Sequence, residues 1–355
     1  RRAAISVLDG GLTPNDRLER TEPLPGPPLA DADDLAIGAD GALYVSAGRE
    51  VLRLTGSDFG ARENFAAVPG PAGALAFDRA GALLVAVDGV GLARVGRDRR
   101  CEIVLESVDG MPLRCLTGVV AASDGLVYLT DGSDRHPAEA WVFDLMERNS
   151  RGRLIEYDPA TQRASVLAGG LAFPHGVTLD HREEALLFTE AWGHRVRRAS
   201  LRATHEIDTL VGNLAGYPAR IHPAPDGGYW LAVFALRTHL VEFVLTEDDF
   251  RAEMMRTIAP DYWIRPALRT LDSGLEPLQG GGIRKLGIVK PWAPPRSYGL
   301  VAKIDENGEA RESLHSRAGG RHHGVTAARQ SGGRLFVACK GAGRVLAAEI
   351  TGRAR

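Results

Sequence analysis

The feature that most restricts what this chain can become is a pattern that recurs six times along it. A small or polar residue precedes an apolar triplet, then come a polar turn and a short β-rich run. Asp33-Asp34-Leu35-Ala36-Ile37 leads to Leu43-Tyr44-Val45, and Gly73-Ala74-Leu75-Ala76-Phe77 leads to Leu83-Leu84-Val85. The other four copies open at Thr117-Gly118-Val119, His175-Gly176-Val177, Ala219-Arg220-Ile221 and His323-Gly324-Val325. Turns such as Ala39-Asp40-Gly41 and Ser123-Asp124-Gly125 make each copy a hairpin. A third β run follows every hairpin, as at 50–54, 153–157 and 344–348, and a fourth, more polar run follows most. Four strands per copy describe a propeller blade, so the chain is expected to be an all-β, six-bladed β-propeller forming a single domain over 1–355. Only one strand remains after Val337, which leaves the sixth blade short. Residues 17–24 are placed to supply the missing strand and close the ring.

Two blades are too long. The stretch 131–151 carries Trp141, Leu145 and Arg148 on one helical face. The stretch 237–297 has a helix start at Thr246 and Asp249, followed by Phe250, Met254 and Ile258 at helical spacing. It then passes through Gly280-Gly281-Gly282 and a Pro-rich run from Lys290 to Pro295. A connection of this length is expected to be functional, as a lid over the channel mouth.

Charge and motifs exclude several classes. With 43 Lys+Arg against 45 Asp+Glu the net charge is -2, which gives no footprint for nucleic acid. No apolar run is long enough to span a membrane. No GxSxG, GxGxxG, Walker or HExxH pattern occurs, so no nucleotide cofactor is expected and a nucleophile-elbow hydrolase is disfavoured. Three cysteines cannot build a disulfide framework; Cys101 and Cys115 read either as one pair or as two free thiols. The chain begins at Arg1 rather than Met, which leaves room for a leader ahead of it and leaves compartment and oligomeric state open.

In a small propeller the first residues of the innermost strands converge on one channel. His175, His323 and Asp33 are therefore the candidate catalytic residues, two imidazoles and a carboxylate suited to acid/base work near neutral pH. The same three are tentative ligands for one divalent metal, zinc being more compatible with them than calcium; the other expectation is no metal at all. Arg220, Thr117, Arg321 and His322 are the candidate substrate-binding residues, the arginines suiting a small anionic metabolite. The remaining histidines (His136, His181, His194, His205, His222, His239 and His315) fall on turns or outer strands and are expected to be exposed.

Several stretches carry a family resemblance: Gly152-Arg153-Leu154-Ile155-Glu156-Tyr157-Asp158-Pro159, Phe173-Pro174-His175-Gly176-Val177-Thr178-Leu179 and Thr189-Glu190-Ala191-Trp192. With Gly216-Tyr217-Pro218 and Tyr298-Gly299-Leu300-Val301, they resemble the six-bladed superfamily of strictosidine synthase, the adipocyte plasma membrane-associated protein and the regucalcin/gluconolactonase lactonases. The resemblance implies a lactonase-like hydrolase working on a small molecule in the channel. The alternatives are a propeller that binds a small molecule or protein without catalysis, and a lyase acting by proton abstraction. In the lactonase branch a Glu, two Asn and an Asp hold a divalent cation at the channel mouth; the matching positions here are Asp33, Thr117, His175 and Ala219. Only the first is a carboxylate, which argues against a hard-ion oxygen site. The catalytic Glu of strictosidine synthase falls in Val325-Thr326-Ala327-Ala328, which has no acid, so that condensation is not expected.

Overall fold

The computed structural model describes residues 5–202, 206–269 and 296–350, with the backbone of two short strands, Arg284–Lys285 and Ile288–Val289. Six antiparallel sheets of three or four strands follow one another along the chain, each built from strands in sequence order, with two short two-stranded sheets besides. Their innermost strands are Ala32–Ile37, Ala72–Phe77, Leu116–Ala121, Pro174–Leu179, Gly216–Pro223 and Val325–Ser331, and each packs against the next to make a closed ring around a channel. This is the expected six-bladed propeller. Aspartates write the hairpin turns: Asp40 and Asp78 accept hydrogen bonds from the backbone N–H of Ala42 and Ala82 through Oδ1, at 3.1 and 2.8 Å. Gly41 and Gly81 take the left-handed conformation (φ 77° and 79°) that the same turns require.

Because the innermost and second strands are buried on both faces, each blade packs its apolar residues against both neighbours. Leu35, Leu43 and Leu54 of blade 1 meet Phe336 and Ala338 of blade 6, for example. Ring closure works as the repeat count predicts. Blade 6 has three strands, and the N-terminal arm adds the missing partner: Pro23 bridges Leu346, and the Leu24 amide donates to the Val345 carbonyl at 2.8 Å. Before that, the arm lies along the outer strand of blade 5, where the Glu19 amide donates to the His315 carbonyl and Leu18 is buried.

Both insertions form helices. In the first, a 3-10 turn (Ala138–Ala140) runs into α1 (Trp141–Met146). In the second, α2 (His239–Val244) starts at Thr238, whose hydroxyl accepts from the Val241 amide, and α3 (Asp248–Thr257) follows two residues later than the Thr246 start expected. Met254 of α3 is buried, whereas Phe250 and Ile258 are exposed. The glycine run at 280–282 and the Pro-rich stretch 290–295 lie outside the described residues, as does His205. The three cysteines are free thiols. His194, His222 and His315 are buried, against expectation. His222 sits on the innermost strand of blade 5, and His315 is held by the Tyr298 hydroxyl at 3.0 Å and by Ser313 Oγ at 2.8 Å.

Candidate active site

At the same end of all six innermost strands a register shift interrupts the pairing, directly after the first strand pair in five blades and after the second and third in blade 5. The residues caught in these bulges are Asp33 and Asp34, Gly73 and Ala74, Thr117, His175 and Gly176, Ala219 and Arg220, and Thr326. A bulge bends its strand and re-aims the side chains it carries. A cavity of about 240 Å³ opens there, lined by Asp33, Gly73, Thr117, His175, Arg220 and Thr326 at its floor. Glycine permits the close approach of blades 4 and 5, since a Cβ on Gly176 would lie 2.6 Å from the Arg220 Cα.

Asp33 is the electrostatic centre. Its Oδ2 accepts from Arg220 Nη2, its Oδ1 from Lys340 Nζ at 3.0 Å, and its backbone carbonyl from Arg220 Nη1 at 2.9 Å and from Thr326 Oγ1 at 2.6 Å. Burial opposes ionisation of this carboxyl, but the Arg220 and Lys340 cations outweigh it and hold Asp33 well below the usual carboxylate range. Arg220 Nε lies 3.5 Å from Asp34 Oδ2, so its guanidinium is committed to the floor. The Thr117 hydroxyl is also committed, donating to the Pro174 carbonyl at 2.7 Å.

His175 is the floor's uncharged group. Burial, then the Arg220 cation, push its imidazole down to about 3, with Asp33 acting in the opposite sense. Its Nδ1 is buried without a hydrogen-bond partner among the described residues. Phe173 and Phe234 meet the ring edge-on, each with centroids 6.0 Å away. They belong to an aromatic wall in which Trp192 stacks on Phe173 at 4.4 Å and Trp141 packs on Phe234 at 5.5 Å. Asp144 of α1 anchors that wall, accepting from Trp192 Nε1 at 2.7 Å. The opposite rim is acidic, with Asp31, Asp88 and Glu139. Asp88 accepts from the Ala138 and Glu139 amides at 2.6 and 3.2 Å, tying the first insertion to blade 2, and burial raises its carboxyl. Leu268, from the second insertion, also lines the cavity.

Four of the seven residues singled out in the sequence, Asp33, Thr117, His175 and Arg220, therefore meet in one cavity. His323, His322 and Arg321 do not line it. The innermost strand of blade 6 begins at Val325, after a left-handed Gly324 (φ 64°), so Thr326 and not His323 takes the bulge position equivalent to His175. His323 instead bonds Ser297 Oγ at 2.7 Å and faces the Arg317 carbonyl at 3.1 Å. Arg321 pairs with Glu19 of the N-terminal arm at 3.1 Å, and the His322 ring is fully buried. Lys340 was missed by the sequence reading. It is one of four lysines in the chain and immediately follows the second strand of blade 6, but its partner Asp33 lies 307 positions away.

The donors present do not fit a divalent metal. Among the described residues no three His, Cys, Asp or Glu side chains group together for one, because His323 lies elsewhere and both oxygens of Asp33 already face cations. The expected ligand set of Asp33, His175 and His323 is thus not assembled.

Residues 118–204 match the strictosidine synthase family. The chain is 28% identical over 235 residues to the adipocyte plasma membrane-associated protein of Salmo salar, an alignment that takes in 65% of this chain and 51% of that one. It spans about half the length of the curated relatives it matches. Among solved structures it is similar to the calcium-binding protein regucalcin from Agrobacterium tumefaciens (TM-score 0.60, 12% identity, 93% of each chain). It is likewise similar to a gluconolactonase from Xanthomonas campestris (TM-score 0.58, 14% identity, 91% of this chain and 89% of that one). Motif order, blade count and these likenesses agree: the strictosidine synthase match falls on blades 3 and 4, and the six-bladed propeller fold is the one this chain shares with the regucalcin and gluconolactonase structures.

Proposed function

We propose that this chain is a hydrolase of small lactones or esters that works without a metal ion, with His175 as general base and Lys340 as the group that meets the developing oxyanion. The observation that carries this reading is an imidazole held neutral on the floor of an aromatic-walled cavity, beside a buried Asp33 carboxylate shared by two cations. An imidazole kept neutral has its lone pair free at physiological pH to draw a proton from water as the new bond to carbon forms. With Nδ1 buried, Nε2 is the nitrogen left for the cavity. Water would give its proton to His175 as its oxygen attacks the acyl carbon. The carbonyl electron pair moves to oxygen, which the ammonium of Lys340 stabilises with N–H groups not used by Asp33. Collapse breaks the acyl C–O bond, and the leaving alkoxide takes the proton back from His175.

The cavity chemistry favours a neutral substrate with an apolar body over the anionic one expected. Arg220 is committed to Asp33, and the rim is acidic. The second insertion, through Leu268, would restrict access to the cavity.

The experiment is turnover of a panel of neutral lactones and aryl esters, with and without a chelator. His175→Gln should lower kcat by about 10² or more, and Lys340→Met by a comparable factor. Because the base titrates near 3, the kcat/KM profile should lack a histidine limb around 6.5. Ligand binding with no turnover of any panel member would replace this reading with that of a binding propeller.

A further inference from the structure

The channel has a second mouth, where the innermost strands end. A separate cavity of about 250 Å³ opens there, bounded by apolar residues of blades 1 to 4 such as Ala36, Phe77, Val119 and Val177, and by His222 and Arg329 from blades 5 and 6. Arg329 is unusual among the charged groups of the channel. Its Nη2 donates to the Leu75 carbonyl at 3.0 Å, its Nε is buried without a partner, and among the described residues no carboxylate comes within ion-pair distance of it. Every other charge on the innermost strands is matched. Asp33 is shared by Arg220 and Lys340. Asp34 is engaged elsewhere: Oδ1 accepts from the Leu35 amide at 2.7 Å and faces His222 Nε2 at 3.3 Å, while Oδ2 accepts from the Leu75 amide at 2.8 Å and lies 3.5 Å from Arg220 Nε. Asp34 acts on Arg329 through space only, without an ion-pair contact.

A half-buried guanidinium without an ion-pair partner is costly, and an adjoining cavity large enough for an anion offers relief. Arg329 presents a fork of N–H donors of which one arm alone is used. The Thr178 side chain also lines the cavity and adds a hydroxyl.

We propose that this second mouth is a binding site for a compact anion, a halide or small oxyanion such as phosphate, seated on Arg329. The site is separate from the His175 cavity and does not depend on the reaction assigned there. Its occupant would neutralise the one unmatched cation of the channel and brace the ends of all six innermost strands, so its effect is on stability.

The test is thermal unfolding of the full chain at fixed ionic strength in sodium chloride, sodium bromide, sodium phosphate or the sodium salt of a bulky sulfonate. Chloride, bromide or phosphate should raise Tm in a saturable way, by about 3 °C at a hundredfold excess over Kd, relative to the sulfonate. Arg329→Met should abolish that increment. A rise with halides and phosphate marks a general compact-anion site, and a rise with phosphate alone an oxyanion site. Equal Tm values in all four salts, or an increment that persists in Arg329→Met, would overturn the proposal. Should that variant not fold, bromide-soaked crystals of the unaltered protein decide the matter. An anomalous peak within hydrogen-bond distance of the Arg329 guanidinium supports the site, and a cavity without one rejects it.

Discussion

The two mouths of the channel are built from the same six strands yet differ in how charge is handled. At the first, bulges crowd the strand ends together, and Asp33 gathers Arg220, Lys340 and the Thr326 hydroxyl around itself. At the second, the strands run on in register to short hairpin turns, and Arg329 stands with one carbonyl partner. Breaking regular pairing brings polar side chains together where chemistry is wanted. Keeping it leaves a smooth apolar collar in which a single charge is unmatched.

The sharpest way to break this contrast is to remove one charge from each end. Asp33→Asn leaves two cations facing each other at the first mouth, Arg220 fully enclosed, and should cost roughly 3–5 kcal/mol in denaturant unfolding. Arg329→Met at the second mouth replaces an unmatched cation with an apolar side chain of similar length and should be neutral or stabilising in anion-free buffer. If the two variants lost stability equally, the mouths would not differ in the way described.

Acidification sharpens the comparison with a histidine at each end. Burial, then the Arg220 cation, depress His175 to about 3; burial, then the Arg329 cation, depress His222 to about 4. Burial likewise lowers His194 and His315 to about 4. These groups stay neutral in the folded chain, whereas in the unfolded chain they take a proton below about 6.5. The unfolded state therefore binds more protons as pH falls, and stability should decline from about pH 6.5 down to about 4, by up to ~1.4 kcal/mol per unit for each histidine. Asp33 and Asp34, both depressed, add their loss only below about pH 4. Denaturant titrations between pH 7 and 4.5 would show the slope, and His222→Gln should flatten it by about one proton. A pH-independent midpoint over that range would contradict the assignment of buried neutral imidazoles.

How much of this was legible beforehand follows from the range of each signal. The blades were readable because a hairpin is local: alternation and an Asp-Gly turn sit within a dozen residues. The closing role of the N-terminal arm followed from counting strands, although of the expected stretch 17–24 only its end, at Pro23 and Leu24, pairs with blade 6. The cavity was half legible, since His175 and Asp33 were found by their places in the repeat. His323 was misplaced because the motif His-Gly-Val recurs in blade 6 three residues ahead of the true bulge. Which residue a bulge ejects is decided by packing against the neighbouring blade, and the repeat pattern does not encode that. Lys340 and Arg329 were invisible for a related reason. Their significance lies in partners present or absent across the ring, not in their neighbours in sequence. His222 and His315 were misjudged as exposed because they were placed on turns or outer strands: His222 lies on an innermost strand beside Asp34, and His315, on the outer strand of blade 5, is covered by the N-terminal arm and bonded to Tyr298.

The smallest expected effect concerns the bulges themselves. Threonine hydroxyls reach from one blade to the next at three of the six seams: Thr326 to the Asp33 carbonyl at 2.6 Å, Thr117 to the Pro174 carbonyl at 2.7 Å, and Thr189 to the Ala219 carbonyl at 2.7 Å. A bulge leaves carbonyls outside the strand ladder, and a threonine from the next blade can satisfy them without adding charge. Valine has nearly the same shape and no hydroxyl. Thr326→Val should lose about 0.5 kcal/mol, because the Asp33 carbonyl keeps its bond from Arg220 Nη1 at 2.9 Å. No second partner is found for the Pro174 carbonyl among the described residues, so Thr117→Val should lose more, about 1–1.5 kcal/mol. The ordering is the informative part: it follows from which carbonyl retains a donor, and a larger loss at Thr326 than at Thr117 would mean that the seam between blades 6 and 1 depends on this hydroxyl rather than on the Asp33 charge cluster.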